Sequence, residues 1–186
     1  MHELVVARCL DALSRRLVVV PTMLAAAMVR IAGVDGGRVL DPACGTGNLL
    51  CAAAGAGAAV VLGQERDVVA AEIAGHRVRL APRVDGDVAR GDALRDDARA
   101  DRPADAVVSA PPFGDRNWGF EKLAGDPRWV FGLPPKPESE LAWIQHCLSR
   151  VVPGGRVVVH VPAGSPTGAP VVASATSCCA QVLSTR

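Results

Sequence analysis

Short apolar runs alternate along the chain with stretches whose apolar residues recur every three to four positions. Leu4-Val5-Val6, Leu10, Leu13 and Leu17 have helical spacing, with Arg15 and Arg16 breaking the apolar face. Pro21 opens a second helix, Thr22 to Ile31, at a position where its missing N–H costs nothing. Gly33 and the Asp35-Gly36-Gly37 cluster end it, so residues 1–34 read as an N-terminal helical segment. A strand-and-helix alternation follows. Arg38 to Asp41 predicts a strand, Leu49 to Ala54 a helix, Ala58 to Glu65 a buried strand, and Asp67 to Leu80 a helix that Asp67 caps. Val88 to Asp92 predicts a weaker third strand. Asp105 to Ser109 predicts a fourth, stopped by Pro111-Pro112, which cannot donate to a sheet. Phe113 to Lys136 is a long Gly/Pro/aromatic loop of the kind that carries function. Glu138 to Val151 predicts a helix, and Pro153-Gly154-Gly155 turns into a fifth strand, Arg156 to Val161. Apolar strands alternating with helices predict an α/β domain with a parallel sheet covered on both faces. Ligands of such sheets sit at the carboxyl ends of the strands. Four of the five predicted strands end in something polar or unusual there: Asp41, Glu65, Asp92 and Ser109-Ala110-Pro111-Pro112.

Composition narrows the classes. The 186 residues suit one domain, and 49% hydrophobic with 21% charged residues excludes a disordered charged tail. The formal charge of +1 gives no overall basic field, although a local basic patch is compatible with it. Apolar runs are broken well before 18 residues, and Met1-His2-Glu3 does not begin a secretion signal, so a cytoplasmic, non-membrane protein is expected. Cys9, Cys44, Cys51, Cys147, Cys178 and Cys179 have no metal-ligand spacing; reduced thiols and no metal are expected. His76, His146 and His160 have no partners at ligand spacing and read as packing or solvated residues. Arg77, Arg79, Arg83 and Arg90, interleaved with Asp85 and Asp87, read as a solvated face. All six aromatics fall between Phe113 and Trp143.

The strand ends carry the candidate chemistry. In Asp41-Pro42-Ala43-Cys44-Gly45-Thr46-Gly47-Asn48, Gly45 and Gly47 allow a sharp turn and close approach of a ligand to the backbone. The helix start that follows offers free N–H groups. A tight strand-to-helix turn is the plainer reading of the glycines alone. The acid at the strand end suits a ligand with a positive centre or hydroxyl donors better than a pyrophosphate. Glu65, 24 residues on, is placed to accept both hydroxyls of a ribose. Asp92 can accept from an adenine amino group; alone it is an ordinary turn residue.

Asp41-Pro42-Ala43-Cys44-Gly45-Thr46-Gly47 resembles the S-adenosylmethionine-binding motif of the N6-adenine DNA methyltransferases, especially the modification subunits of type I restriction systems. Ala110-Pro111-Pro112-Phe113 sits where that family has its catalytic Asn/Asp-Pro-Pro-Tyr/Phe. Asp126-Pro127-Arg128-Trp129, Phe131 to Lys136, Leu141 to His146 and Pro153 to Arg156 resemble its following loop, helix and turn; Pro21-Thr22 loosely resembles its upstream cofactor motif. The resemblance implies a Rossmann-like class I methyltransferase core, three-layer α/β/α, over residues 35–164. It implies S-adenosylmethionine as cofactor, held by Pro21, Asp41, Ala43, Gly45, Gly47, Asn48, Glu65 and Asp92. Asp41, Gly45 and Gly47 would take its methionine part, Glu65 the ribose and Asp92 the adenine amino group. DNA would be the substrate, with the target adenine flipped out, stacked on Phe113 and hydrogen-bonded by the Pro111 carbonyl. Sequence-specific binding would need a separate specificity subunit as partner or missing C-terminal sequence.

Two departures qualify this. Alanine at 110 has no polar group to accept the second hydrogen of the target amine, and one such contact is typically worth about 10²–10³ in rate. Ser109 faces the other way on its strand; Asp115 or Asn117 could reach back from the loop. Besides an active enzyme, a non-catalytic cofactor-binding scaffold and a methyltransferase acting on protein amide or RNA stand as alternatives. The second departure is the segment 165–186, which loses the family's pattern and has no clear period. It reads as a disordered tail or as the product of a reading-frame shift near the codon for Gly164. On that reading the last two of seven strands, ordered 3-2-1-4-5-7-6, are lacking and the fifth strand is an open apolar edge.

Overall fold

A computed structural model of the chain describes residues 19–161 and the backbone of two strands, 171–174 and 177–182. The helical reading of residues 1–18 lies outside the described residues. The elements are α1 (Thr22–Ala32), β1 (Arg38–Asp41), α2 (Asn48–Gly55), β2 (Val60–Glu65), α3 (Val68–Leu80), β3 (Asp85–Arg90), β4 (Ala104–Ser109), α4 (Ser139–Ser149), β5 (Val151–Val159), β6 (Val171–Ser174) and β7 (Ser177–Val182). The sheet order is β3-β2-β1-β4-β5-β6-β7. The first five strands are parallel, with Leu40 of β1 paired to Leu62 of β2 on one side and Val107 of β4 on the other.

Strand alternation builds two cores, one on each face of the sheet. Val39, Val61, Val108 and Val158 point to one face. There they pack with Ala25, Met28 and Val29 of α1, Leu49 and Leu50 of α2, and Ala74 and Val78 of α3. Leu40, Leu62, Val107, Val157 and Val159 point to the other face, against Ile144 and Cys147 of α4. This is the expected three-layer, doubly wound arrangement. The order reverses between β1 and β4, which leaves a crevice at their carboxyl ends.

Three expectations are corrected. β3 runs from Asp85 to Arg90 rather than to Asp92, so Asp92 lies beyond the strand, after Gly91. As a half-exposed edge strand it has little apolar pattern to read. β5 begins at Val151, ahead of the Pro-Gly-Gly turn. Val151 pairs with Ala104, the chain bulges, and Arg156 resumes pairing with Ala106. The edge of β5 is also not open. β6 pairs with it antiparallel, Val159 opposite Val171, and β7 pairs with β6. An apolar strand presents a row of unpaired backbone groups, which is what another strand needs to add to it. The added strands form a meander, 5-6-7, instead of the 5-7-6 order expected for a full sheet of this kind.

Candidate functional site

The end of β1 is the electrostatic centre of the crevice. Asp41 is fully buried. Its Oδ1 accepts hydrogen bonds from the Ala43 N–H (3.1 Å) and the Ser109 hydroxyl (2.8 Å), while Oδ2 is buried and has no partner among the described residues. Burial pushes the carboxyl up to about 7, against the two hydrogen bonds that favour its charge; Glu65 adds a smaller push in the same direction. At the end of β2, Glu65 accepts from the Gly45 N–H through Oε2 and from the Asp67 N–H through Oε1, each at 2.8 Å. Each oxygen keeps a lone pair for a further donor. Asp92 closes a turn by accepting from the Leu94 N–H (3.1 Å), with the Arg95 Nε 3.5 Å from its other oxygen.

These strand ends surround a cavity of about 340 Å³, within the range of small-ligand sites. Of the residues singled out in the sequence, Ala43, Gly45, Glu65, Asp92 and the whole run Ala110 to Phe113 line it. Asp41 is buried at the strand end behind its lining residues Pro42 and Ala43. Pro21, Gly47 and Asn48 are not among the lining residues. Pro21 is exposed ahead of α1. Gly47 has φ of 85° and sits against Ala74, where a Cβ would come within 3.1 Å of the Ala74 methyl, so it shapes the turn and lets α2 and α3 approach. Asn48 donates to the Val20 carbonyl (2.6 Å) and accepts from Arg77 (2.6 Å). Arg77 also donates to the Thr46 carbonyl (2.6 Å), so it braces the glycine turn instead of belonging to a solvated face. Arg66, Asp67, Ala70 and Trp143 line the cavity as well and were not singled out for it in the sequence. Asp67 alone left a signal, its capping position, and it does accept from the Ala70 N–H (2.9 Å).

The opposite wall is the end of β4 and the loop after it. Ser109 spends its hydroxyl on Asp41, so Ala110 receives no polar help from it. Asp115 is engaged elsewhere, in an ion pair with Arg66 at 2.8 Å. Burial pushes its carboxyl up, but donors from Arg66 and the Asn117 N–H outweigh this and hold it below the usual range. The loop is fastened to the start of α4, where Glu140 accepts from the Gly114 N–H (2.8 Å) and the Ser139 hydroxyl from the Asp115 N–H (3.1 Å). Trp118, Trp129 and Trp143 form a separate buried cluster with Ala93 and Leu94, in which Trp118 meets Trp129 edge-on at 5.8 Å. Arg128 locks that cluster by donating to the Ala93 and Leu94 carbonyls, to Asp126 and to His146. His146 is wholly buried, and burial drives its pKa down to about 3, so it accepts from Arg128 as a neutral ring. Trp129 is therefore a loop anchor, and Trp143 anchors the loop while also lining the cavity. Phe131 is exposed, while Phe113 is 39% exposed at the cavity, its ring 5.6 Å from that of His160.

The model of the N-6 DNA methylase family matches residues 18–167, most of the chain and all of this site. The chain belongs to that family. A type I restriction enzyme HindI methylase subunit of Haemophilus influenzae is 29% identical over 139 residues, 69% of this chain and 31% of that subunit. The MjaIX methylase subunit of Methanocaldococcus jannaschii is 29% identical over 151 residues, 73% of this chain and 27% of that one. The chain thus spans about a third of the length of these relatives. Among solved structures, a putative type I modification subunit from Vibrio vulnificus aligns with a TM-score of 0.63 at 21% identity, over 88% of this chain and 38% of that one. The EcoKI M protein aligns at 0.61 and 20%, over 78% and 34%. An RNA methyltransferase of Salinibacter ruber in complex with S-adenosyl-L-homocysteine shares the fold at 0.53 and 20%, over 76% of each chain. The fold is the Rossmann-like one of S-adenosylmethionine-dependent methyltransferases. Among the described residues no helix is long and apolar enough to cross a membrane, and no cluster of His, Cys, Asp or Glu is placed to hold a metal.

Proposed function

We propose that this chain is the catalytic core of an S-adenosylmethionine-dependent adenine-N6 DNA methyltransferase of the restriction-modification kind, acting in the cytoplasm. The observation that carries this reading is the convergence of Glu65, Asp92 and the Ala110-Pro111-Pro112-Phe113 run on one cavity, with Asp41 buried behind its lining, at the point where the strand order reverses. The residues fit the cofactor. A buried carboxylate oxygen of Asp41 without a partner among the described residues suits the ammonium of its methionine part, and the free lone pairs of Glu65 suit two ribose hydroxyls. Asp92 would accept from the adenine amine. Gly45 gives the ligand close access to backbone, while Gly47 and Asn48 act from outside the cavity by shaping the turn and its support, and Pro21 stands outside it, ahead of α1. When bound, the cofactor supplies an electrophilic methyl group. The Pro111 carbonyl would accept one hydrogen of a flipped adenine's amine, and Phe113 would stack on the base. Aligning amine and methyl donor accounts for much of the expected rate gain. A separate specificity subunit would supply recognition of a DNA sequence.

A second reading, a cofactor-binding protein without transferase activity, is favoured by one observation: Ala110 is apolar and both Ser109 and Asp115 are committed to other partners. Calorimetry with S-adenosylmethionine and transfer of tritiated methyl groups to unmethylated duplex DNA separate the two. Binding with transfer to adenine supports the enzyme. Binding without transfer leaves the scaffold, and absence of binding sinks both.

A further inference from the structure

The amine of an adenine carries two hydrogens, and its lone pair is delocalised into the ring. Two acceptors are needed to localise that pair on nitrogen. On the transferase reading the Pro111 carbonyl takes one, and the side chain next to it, at Ala110, is a methyl group. What else faces that spot is set by the sheet. Ser109 of β4 is paired with Val159 of β5, and the His160 N–H donates to the Ser109 carbonyl at 2.9 Å. One residue further along each strand come Ala110 and His160. Side chains alternate across a sheet, and both strands are in register here, so these two point to the same face. Burial agrees: Val108 and Val158 belong to the core under α1, Val159 to the core under α4, and Ala110 packs on the α1 side. Adjacent strands are about 4.8 Å apart. A histidine therefore stands one strand away from the alanine, on its face, at the same level along the sheet.

His160 is not among the lining residues of the cavity, but its ring reaches one that is. Its centroid lies 5.6 Å from that of Phe113, tilted by 53°, and Phe113 lines the cavity. His160 is half-buried, and among the described residues neither of its ring nitrogens has a hydrogen-bond partner. A neutral imidazole has one nitrogen that accepts. Phe113 and His160 thus form a corner with one aromatic face for a base and one free acceptor at its edge.

Building on the transferase reading above, we propose that His160 is the second acceptor for the target amine, standing in for the polar side chain that position 110 lacks. In the transfer an N–C bond forms, the C–S bond breaks with its electron pair left on sulfur, and the proton lost from nitrogen passes to the imidazole. An amide at position 110 could hold that hydrogen but not take it. An imidazole does both, which gives the alanine a compensating partner instead of a bare defect.

The test uses the full chain and unmethylated duplex DNA of random sequence. Wild type, His160→Ala, His160→Asn, Ala110→Asn and the double variant Ala110→Asn/His160→Ala are compared for kcat and KM of methyl transfer, and for S-adenosylhomocysteine binding by calorimetry. His160→Ala should lower kcat by about 100-fold or more with little change in KM or cofactor affinity. His160→Asn should retain part of the rate, and the double variant should regain it. A His160→Ala rate within twofold of wild type overturns the proposal, as does a loss that Ala110→Asn does not repair. Transfer by Ala110→Asn but not by wild type overturns it and leaves the transferase reading of the fold standing. No transfer by any variant, with cofactor bound, sinks both. A second measurement does not depend on turnover. With S-adenosylhomocysteine present, the imidazole ¹⁵N signals of His160 should move on addition of 2′-deoxyadenosine and not of purine 2′-deoxyriboside, which lacks the amine. Equal response to both nucleosides, or to neither, overturns the proposal.

Discussion

The wall built by β1 and β2 and the wall built by β4 and its loop meet at one cavity, but they are held by different means. The first is backbone held by carboxylates: Asp41 and Glu65 take N–H groups from Ala43, Gly45 and Asp67, and side chains there are small. The second is a long irregular segment held by large side chains, a tryptophan cluster and the Arg128 network. Short turns between buried strands need no rings, because the sheet already fixes both ends. A loop of more than twenty residues has no such frame and must bring its own core. The difference explains why an Ala/Val-rich chain keeps all its aromatics in one stretch. It also gives the two walls separate failure modes, which mutations can expose.

The largest effect should come from Trp118→Ala, which empties the centre of the loop's core. Trp118 is 1% exposed and edge-packed on both Phe120 and Trp129. Loss of about 3–5 kcal/mol is expected, read as a fall in Tm and in the denaturant midpoint. If the walls are independent, the folded fraction should still bind S-adenosylmethionine within about twofold of wild type. A proportionate loss of cofactor affinity would mean that the loop core supports the first wall as well.

Asp41 tests the first wall alone. Its carboxyl titrates at 3.8 in an exposed setting and at about 7 when buried here. The stability tied to its neutral form is therefore complete below about pH 4 and lost as pH rises through about 7. A cationic ligand has the opposite preference, since it favours the ionised carboxylate. Below pH 7, cofactor affinity should then fall by about tenfold for each pH unit, with proton release measurable by calorimetry in buffers of different ionisation enthalpy. Asp41→Asn should flatten this slope and bind weakly at all pH values. A slope that persists in Asp41→Asn assigns the titration to another group.

Arg77→Ala is a subtler test of the same wall. It removes the donor to the Thr46 carbonyl and to Asn48, and Thr46 is buried. Leaving a buried acceptor unsatisfied costs about 1–3 kcal/mol. Because the brace lies outside the cavity, cofactor affinity should weaken by no more than about tenfold, with the glycine turn showing faster amide exchange.

Arg77 also marks the limit of what a sequence shows. The glycine turn and the strand-end acids were legible because their roles are local: a sharp turn wants glycine, and a carboxylate at a strand end has few other uses. Asp67 as a helix cap was legible for the same reason. Arg77, Ser109 and His160 were not, because their partners come from other strands or helices. Ser109 read only as a residue facing away, and its hydroxyl is what Asp41 uses. The start of β5 was hidden by a Pro-Gly-Gly bulge inside the strand, and β3 by its exposed edge position. The pairing of β6 with β5 left no periodic signal in its short segment. Trp129 and Trp143 showed in the sequence only as members of one aromatic stretch, and their packing on Ala93 and Leu94 gave them a place.

The smallest expected effect lies where the walls touch. Arg66, after β2, pairs with Asp115, after the β4 motif, at 2.8 Å across the cavity. The arginine side chain is 54% exposed and the aspartate 21%, so solvent and salt screen the pair. Asp115 raises the affinity of Arg66 for its proton, first through the hydrogen bond, but a group this exposed converts little of that into stability. Arg66→Ala should change stability by less than about 1 kcal/mol. If the pair joins two otherwise independent walls, its effect should appear instead in kinetics. Cofactor release should speed up by a few-fold in Arg66→Ala, and the same change should appear in wild type at high salt, where the pair is screened. A release rate indifferent to both would show that the ion pair decorates the mouth of the cavity without coupling its sides, and the comparison between the walls would then hold with no link between them on this edge.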